Sequence, residues 1–205
     1  MEAWKERFQP IEVGARFLIQ PAWIEIQDES RIPILIDPGM AFGTGVHPTT
    51  QLTLQLLEKQ LGSEMIVLDM GSGSGVLSFA AEKLGAQSIT AIEVDAQAVE
   101  NAKHNGKLNH SKVHFQVGSL TEAKKERPEK GFDLLMANIL ATILIQLLEE
   151  GLAELLGKDG QIIFSGILIE QEELFLEALN RAGLESKFRD QRGDWLAFIA
   201  GPIAD

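Results

Sequence analysis

Cysteine is absent from the 205 residues, which removes disulfides and thiolate metal ligands and is compatible with a reducing compartment. Apolar runs are short. None approaches the ~18 residues that a membrane-spanning helix needs, and the opening MEAWKERFQP is charged and polar rather than arranged as a signal peptide. A cytoplasmic protein with no membrane partner is expected. Basic residues are scarce too, 18 Lys and Arg against 30 Asp and Glu, a net charge of −12. Neutralising phosphates needs the opposite balance, so direct nucleic-acid binding is not expected, whereas a lysine-rich protein would be steered to an acidic surface. The four histidines, His47, His104, His110 and His114, show no metal-ligand spacing, and no metal site is expected. His110 and His114 straddle the start of a strand and read as surface residues. A GxSxG nucleophile turn, a Walker lysine pattern and internal repeats are also missing.

The length suits one α/β domain of ordinary size with a small extension. Its organising stretch is residues 67–75, VLDMGSGSG, which sets an acid at the end of an apolar strand and then three glycines at alternate positions. The following VLSFAAEKL, 76–84, has helical spacing, so the glycines lie at a strand-to-helix switch, where open α/β sheets bind ligands. Glycines let backbone approach a ligand, and the next helix turns its free N–H groups toward it. A dinucleotide fingerprint needs glycine or alanine at the sixth position, but counting from Gly71 that residue is Val76. An NAD-dependent oxidoreductase is therefore a distant reading. The run Asp69, Gly71, Gly73, Gly75 instead resembles the first motif of class I methyltransferases, which bind S-adenosylmethionine.

Along the chain, residues 1–37 carry prolines and tryptophans between short alternating apolar segments, and predict a short helical start and a hairpin-like extension that covers one end of the core. Residues 37–50, DPGMAFGTGVHPTT, form a long glycine- and threonine-rich loop that offers the Phe42 ring, His47 and the hydroxyls of Thr44, Thr49 and Thr50 to a ligand. Thr49 and Thr50 also stand where an N-cap of helix 51–61 would. A second strand, 88–93, ends in Glu93, 22 residues after Gly71, the spacing of the acid that binds ribose hydroxyls in doubly wound folds. Asp95 is better placed as the cap of the next helix. A third strand, 113–117, leads to Ser119, where the class I methyltransferases it resembles often carry an acid and where that resemblance implies a hydroxyl at the adenine edge, and then to a polar loop at 121–131. The fourth strand, 132–137, delivers Asn138 to the same edge as the glycine turn. Asparagine is depleted in strands, and a buried amide needs partners. It reads either as a turn former or as an oxygen that accepts from a substrate N–H. A long helix over 142–156, a strand over 161–165, a helix over 170–182 and a closing strand pair, 184–189 and 195–200, complete the pattern.

Taken together, FQPIEVGARFLIQPAW, DPGMAFGTGVHPTT, LDMGSGSGVLSFAAEKLGA, ANILA, SGILIEQ and GDWLAF resemble the ribosomal protein L11 methyltransferase family, from about Trp4 to the C-terminus. The resemblance implies a Rossmann-like class I methyltransferase fold, a seven-stranded mostly parallel sheet with helices on both faces and a C-terminal antiparallel hairpin. It divides the chain into an extension, 1–37, packed on a methyltransferase domain, 38–205. It implies S-adenosyl-L-methionine as cofactor and transfer of methyl groups to lysine side chains and the N-terminal amine of ribosomal protein L11 of the large subunit. Cofactor contacts are implied at Thr50, Gly71, Glu93 and Asn138. With the residues read above, the candidate site is Phe42, Thr44, Thr50, Asp69, Gly71, Gly73, Gly75, Glu93, Ser119 and Asn138, the last also orienting the amine. Three departures accompany the resemblance. Ser72 stands where the family usually has cysteine, and Glu93 where it has aspartate. Family members also carry a separate N-terminal recognition domain that this sequence does not contain, so it represents either the catalytic part alone or a short homologue with altered recognition. An N-methyltransferase of another protein or small amine, and a non-catalytic S-adenosylmethionine-binding module, are the alternatives.

Overall fold

The computed structural model describes residues 9–25, 30–37 and 45–203. Trp4 and the expected helical start, as well as Phe42 and Thr44, lie outside the described residues.

The extension forms a small sheet of β1 (Ile11–Val13), β2 (Phe17–Pro21) and β3 (Ile32–Ile36). The hairpin expectation holds for β1 and β2, which pair antiparallel, but β3 pairs parallel to β2. Val13, Phe17, Ile19, Ile34 and Ile36 join the apolar cluster that also buries the inner face of α1 (Pro48–Gln60), so the small sheet caps one flank of the main core.

The main sheet is built from β4 (Ile66–Met70), β5 (Ser88–Glu93), β6 (His114–Val117), β7 (Phe132–Asn138), β8 (Leu156–Leu168), β9 (Leu184–Arg192) and β10 (Trp195–Pro202), in the order β6-β5-β4-β7-β8-β10-β9. Parallel pairing runs from β6 through β8, and β10 is antiparallel to both of its neighbours. The seven-stranded, mostly parallel sheet with a closing hairpin is thus as expected. IVLDM and FDLLMAN form the middle of the sheet, buried on both faces, as their near-continuous apolar character requires. Crossovers through α2 (Val76–Leu84) and α3 (Ala96–Leu108) carry the chain outward from β4, and β7 then returns to the other side of β4. The order therefore reverses between β4 and β7, and their carboxyl ends flank a crevice.

Strand alternation decides which side each residue serves. Val67 and Leu134 turn to the face covered by α1, α2 and α3, while Leu68 and Leu135 turn to the face covered by α4 (Leu120–Lys125), α5 (Ala141–Glu149) and α6 (Glu172–Arg181). By the same alternation Asp69 and Asn138 face α1 and α2.

Several boundaries differ from the sequence reading. The helix expected at 51–61 starts at Pro48 with His47 as N-cap, so Thr49 and Thr50 sit buried inside its first turn. Proline at the first helical position fixes φ where no N–H bond is lost. The stretch read as a polar loop at 121–131 contains α4, capped reciprocally by Ser119 and Glu122. The long helix expected over 142–156 stops at Glu149, because Gly151 adopts φ 97° and turns the chain into a 3-10 turn, Leu152–Leu155, followed by a 13-residue strand rather than a five-residue one.

Candidate functional site

The glycine turn is held open by left-handed backbone: φ is 79° at Gly71, 51° at Gly73 and 87° at Gly75. A Cβ on Gly71 would collide with Cγ2 of Ile139, and one on Gly75 would lie 2.8 Å from the Phe79 ring. Gly71 and Ser72 donate their N–H groups to the Ile92 carbonyl at 2.8 and 3.2 Å, and Gly73 donates to Glu93 Oε2 at 3.0 Å. The other carboxylate oxygen, Oε1, accepts from Asp95 N–H at 3.0 Å. Glu93 is thereby locked against the turn with both oxygens at the crevice. Asp95 caps α3 through Gln97 N–H, as expected.

A cleft of ≈ 740 Å³ opens over this turn, with Gly71, Glu93, Ser119 and Asn138 in its wall. Ile92, Leu120, Ile139 and Leu147 form its floor and sides, and Val94, Leu140 and Ile143 stand at its mouth, Val94 73% and Leu140 65% exposed. Exposed aliphatic side chains on both lips make a slot suited to a flat, weakly polar ring, while Glu93, Asn138, Ser119, Gln146 and Glu150 supply polar groups to its lining.

Asn138 closes the far end. Its Nδ2 donates to Thr50 Oγ1 at 3.3 Å, while its Oδ1 is buried with no hydrogen-bond partner among the described residues. A buried amide oxygen left without a donor costs about 1–3 kcal/mol, so the arrangement suits a ligand that brings an N–H. Beside it, His47 and Trp195 meet edge to face at 4.9 Å and both line the cleft. His47 Nδ1 accepts from Thr49 N–H at 3.3 Å and lies 2.8 Å from Thr49 Oγ1. Burial lowers the pKa of this imidazole, which favours its neutral form.

Asp69 sits behind the turn rather than in the cleft wall. It is fully buried, Oδ2 accepts from Ser78 Oγ at 2.5 Å, and Oδ1 has no partner among the described residues. Burial first, and then the charge of Glu93, push its carboxyl up to about 7 against the pull of the Ser78 hydrogen bond. Ser119 reaches the cleft, but its hydroxyl is engaged in the cap, accepting from Thr121 N–H at 3.4 Å and donating to Glu122 Oε2 at 3.2 Å.

Of the sequence candidates, then, Gly71, Glu93, Ser119 and Asn138 meet around one cleft. Thr50 and Gly73 back them, and Gly75 caps α2. Sequence reading gave no role to Trp195 or Gly166, which also line the cleft. Gly166 has φ 91°, and a Cβ there would strike the Ile139 carbonyl. Its place in a strand pattern was the signal, since strand glycines mark close backbone approach.

The family model of ribosomal protein L11 methyltransferase (PrmA) matches residues 1–201. The chain belongs to this family. It is 40% identical over 215 residues to the ribosomal protein L11 methyltransferase of Herpetosiphon aurantiacus, covering 96% of this chain and 67% of that protein. It is 42% identical over 200 residues to that of Anoxybacillus flavithermus, covering 97% and 63%. The chain thus spans about two thirds or slightly less of these relatives. A crystal structure of ribosomal protein L11 methylase from Lactobacillus delbrueckii subsp. bulgaricus superposes with a TM-score of 0.86 at 34% identity, covering 95% of this chain and 98% of that one. A putative methyltransferase complexed with SAH shares the fold, with a TM-score of 0.65 at 15% identity over 98% of this chain and 57% of that one.

Proposed function

We propose that this chain transfers methyl groups from S-adenosylmethionine to amine nitrogens of ribosomal protein L11, on lysine side chains and the N-terminal amine. The observation that carries the reading is the Asn138 amide oxygen, buried, without a donor, and set across the cleft from the glycine turn. Family membership makes L11 the acceptor to test first.

The residues present fit the cofactor. The left-handed glycine turn leaves room where a Cβ would clash, and Glu93 presents an immobilised carboxylate to ribose hydroxyls. The slot between Val94, Leu120 and Ile143 accepts a flat base. Ser119, committed to its cap, offers adenine less than its position suggests. Asp69 supports the turn from behind and stands outside the cleft lining. When bound, S-adenosylmethionine supplies an electrophilic methyl group on a cationic sulfonium.

The rest of the task belongs to the protein. A free lysine amine has a pKa of about 10.4, so presenting it neutral at pH 7 costs roughly 4–5 kcal/mol unless the site lowers that value. The apolar walls disfavour the ammonium form, and the proton leaves to solvent. Asn138 Oδ1 then accepts one amine N–H, which fixes the direction of the lone pair. Thr50 holds the amide in that orientation through Nδ2, and Trp195 and His47 wall the end of the cleft. Orientation of this kind accounts for much of the rate in displacements without covalent catalysis.

The extension, residues 1–37, is read as a buttress of the methyltransferase unit, 38–205, supported by the shared apolar cluster. No described helix is long and apolar enough to cross a membrane; a ribosomal protein as acceptor argues for the cytoplasm, and the net charge of −12 argues against direct nucleic-acid contact.

The test is single-turnover transfer of labelled methyl to purified L11. Asn138→Ala is expected to slow transfer by about 10²-fold with cofactor affinity changed far less, the loss typical of misaligned reactants. An unchanged rate would remove Asn138 from the orienting role.

A further inference from the structure

The inner side of α3 and its C-cap carry two buried asparagines, Asn105 in the last turns of the helix and Asn109 at the cap, four residues apart. An asparagine amide is not at ease away from water, so two buried together require specific partners. Both find them in backbone groups that the small sheet leaves open. Ile32 turns its N–H inward to the Arg16 carbonyl at 2.7 Å, so strand alternation turns residues 33, 35 and 37 outward. Residue 33 is proline and has no N–H. Leu35 is met on both sides by one amide: its N–H donates to Asn109 Oδ1 at 3.0 Å and its carbonyl accepts from Asn109 Nδ2 at 2.7 Å. Asp37 N–H donates to Asn105 Oδ1 at 2.9 Å. The helix thus replaces a missing fourth strand with side-chain amides, which blocks an edge that would otherwise recruit another chain.

The two asparagines differ in one respect. Asn109 Nδ2 makes its remaining bond to the Asn105 carbonyl within α3 at 2.9 Å. Asn105 Nδ2 instead donates to the Ser74 carbonyl at 3.1 Å, inside the glycine turn. Asn105 is fully buried and has both amide atoms engaged, one on the turn and one on the last residue before segment 38–44. The neighbouring His104 also approaches the Asp37 carboxylate, with Nε2 to Oδ2 at 3.5 Å.

We infer that Asn105 is a positioning residue for the cofactor turn: its amide couples the Ser74 carbonyl to Asp37, so that turn and small sheet are set by one side chain. This rests on the reading of the turn as the S-adenosylmethionine site. Other hydrogen bonds act on the turn, among them those through Ile92, Glu93 and Ser72, and these come from the sheet edge or from the turn itself. Asn105 connects the turn to the extension, with Nδ2 on Ser74 and Oδ1 on Asp37.

Asn109→Ala is the control, since it also removes a buried amide and two bonds to β3 but leaves Ser74 untouched. Both alanine variants are expected to lower thermal stability by similar amounts. Only Asn105→Ala is expected to speed amide hydrogen exchange of residues 71–75 in the ligand-free chain, by about tenfold, and to weaken S-adenosylhomocysteine binding by about tenfold, the loss expected for one hydrogen bond in a preorganised site. Asn105→Leu, which fills the volume without the amide, gives the same reading if the alanine variant folds poorly. Equal exchange and equal affinity in the Asn105 and Asn109 variants would overturn the inference. Failure of the unaltered chain to bind S-adenosylhomocysteine would overturn the underlying reading, and the inference with it. Exchange in the ligand-free variants tells that failure apart from a failure of the coupling alone.

Discussion

Replacing Asp69 with asparagine should change how stability depends on pH. The wild-type carboxyl is fully buried, with one hydrogen bond from Ser78, and is pushed up to about 7. In the unfolded chain it titrates near 3.9. Between about pH 4 and pH 7 the unfolded chain has therefore released this proton while the folded chain still holds it, so stability falls as pH rises through that window. The full difference of about three units corresponds to about 4 kcal/mol, and about half of it, roughly 2 kcal/mol, falls between pH 5.5 and pH 8.5, clear of the acid range where the chain is least soluble. Asp69→Asn preserves shape and the bond from Ser78 but carries no titratable proton. Urea denaturation at several pH values should show wild type losing about 2 kcal/mol more than the variant across this range. Ser78→Ala should act in the opposite sense, increasing the loss, because the side-chain hydrogen bond that most favours the carboxylate is gone. Parallel pH profiles for wild type and Asp69→Asn would refute the assignment of a protonated carboxyl behind the turn.

Two further outcomes follow from local geometry. Gly166→Ala should destabilise well beyond Gly183→Ala in chemical denaturation: both have positive φ, 91° and 75°, but a Cβ at Gly166 strikes the Ile139 backbone while one at Gly183 meets nothing within 4 Å, leaving only backbone strain of about 1–2 kcal/mol. Similar losses would show that β7 and β8 can spread to admit the methyl. Ser119→Ala should cost about 1 kcal/mol in urea denaturation through loss of the α4 cap, and Ser119→Asn should recover most of it; an asparagine variant as unstable as the alanine one would refute the capping role.

Much of the fold was legible because its strongest signals are local. The apolar period of Val76–Leu84, bracketed by glycines, and the run Ser88–Glu93 appear with the expected bounds. Glu93 and Asn138 were visible as polar residues ending apolar strands, and both line the cleft. What escaped depended on competing cues. Polarity at 121–131 masked α4, although Ser119 and Glu122 have capping-box spacing. An unbroken apolar run over 142–156 concealed the left-handed turn at Gly151, where burial and not helix period accounts for the leucines. Thr49 and Thr50 looked like caps, but the helix starts at Pro48, three residues before the expected 51, with His47 as its cap. Asp69 was read as a ligand contact; strand alternation turns its side chain toward Ser78, behind the residues that line the cleft. Asn105 gave no sign at all, because a mid-helix asparagine reads as solvent-facing until β3 is seen against it.

The central claim is amine methylation of L11 at the Asn138 end of the cleft. Incubating the purified chain with S-adenosylmethionine and L11, followed by mass spectrometry of the acceptor, tests it most directly. The account predicts mass gains of whole methyl groups mapping to lysine side chains and the N-terminal amine, and strongly diminished gains with Asn138→Ala. An unmodified L11 beside a chain that binds S-adenosylmethionine, or methyl groups on atoms other than amine nitrogen, would contradict it.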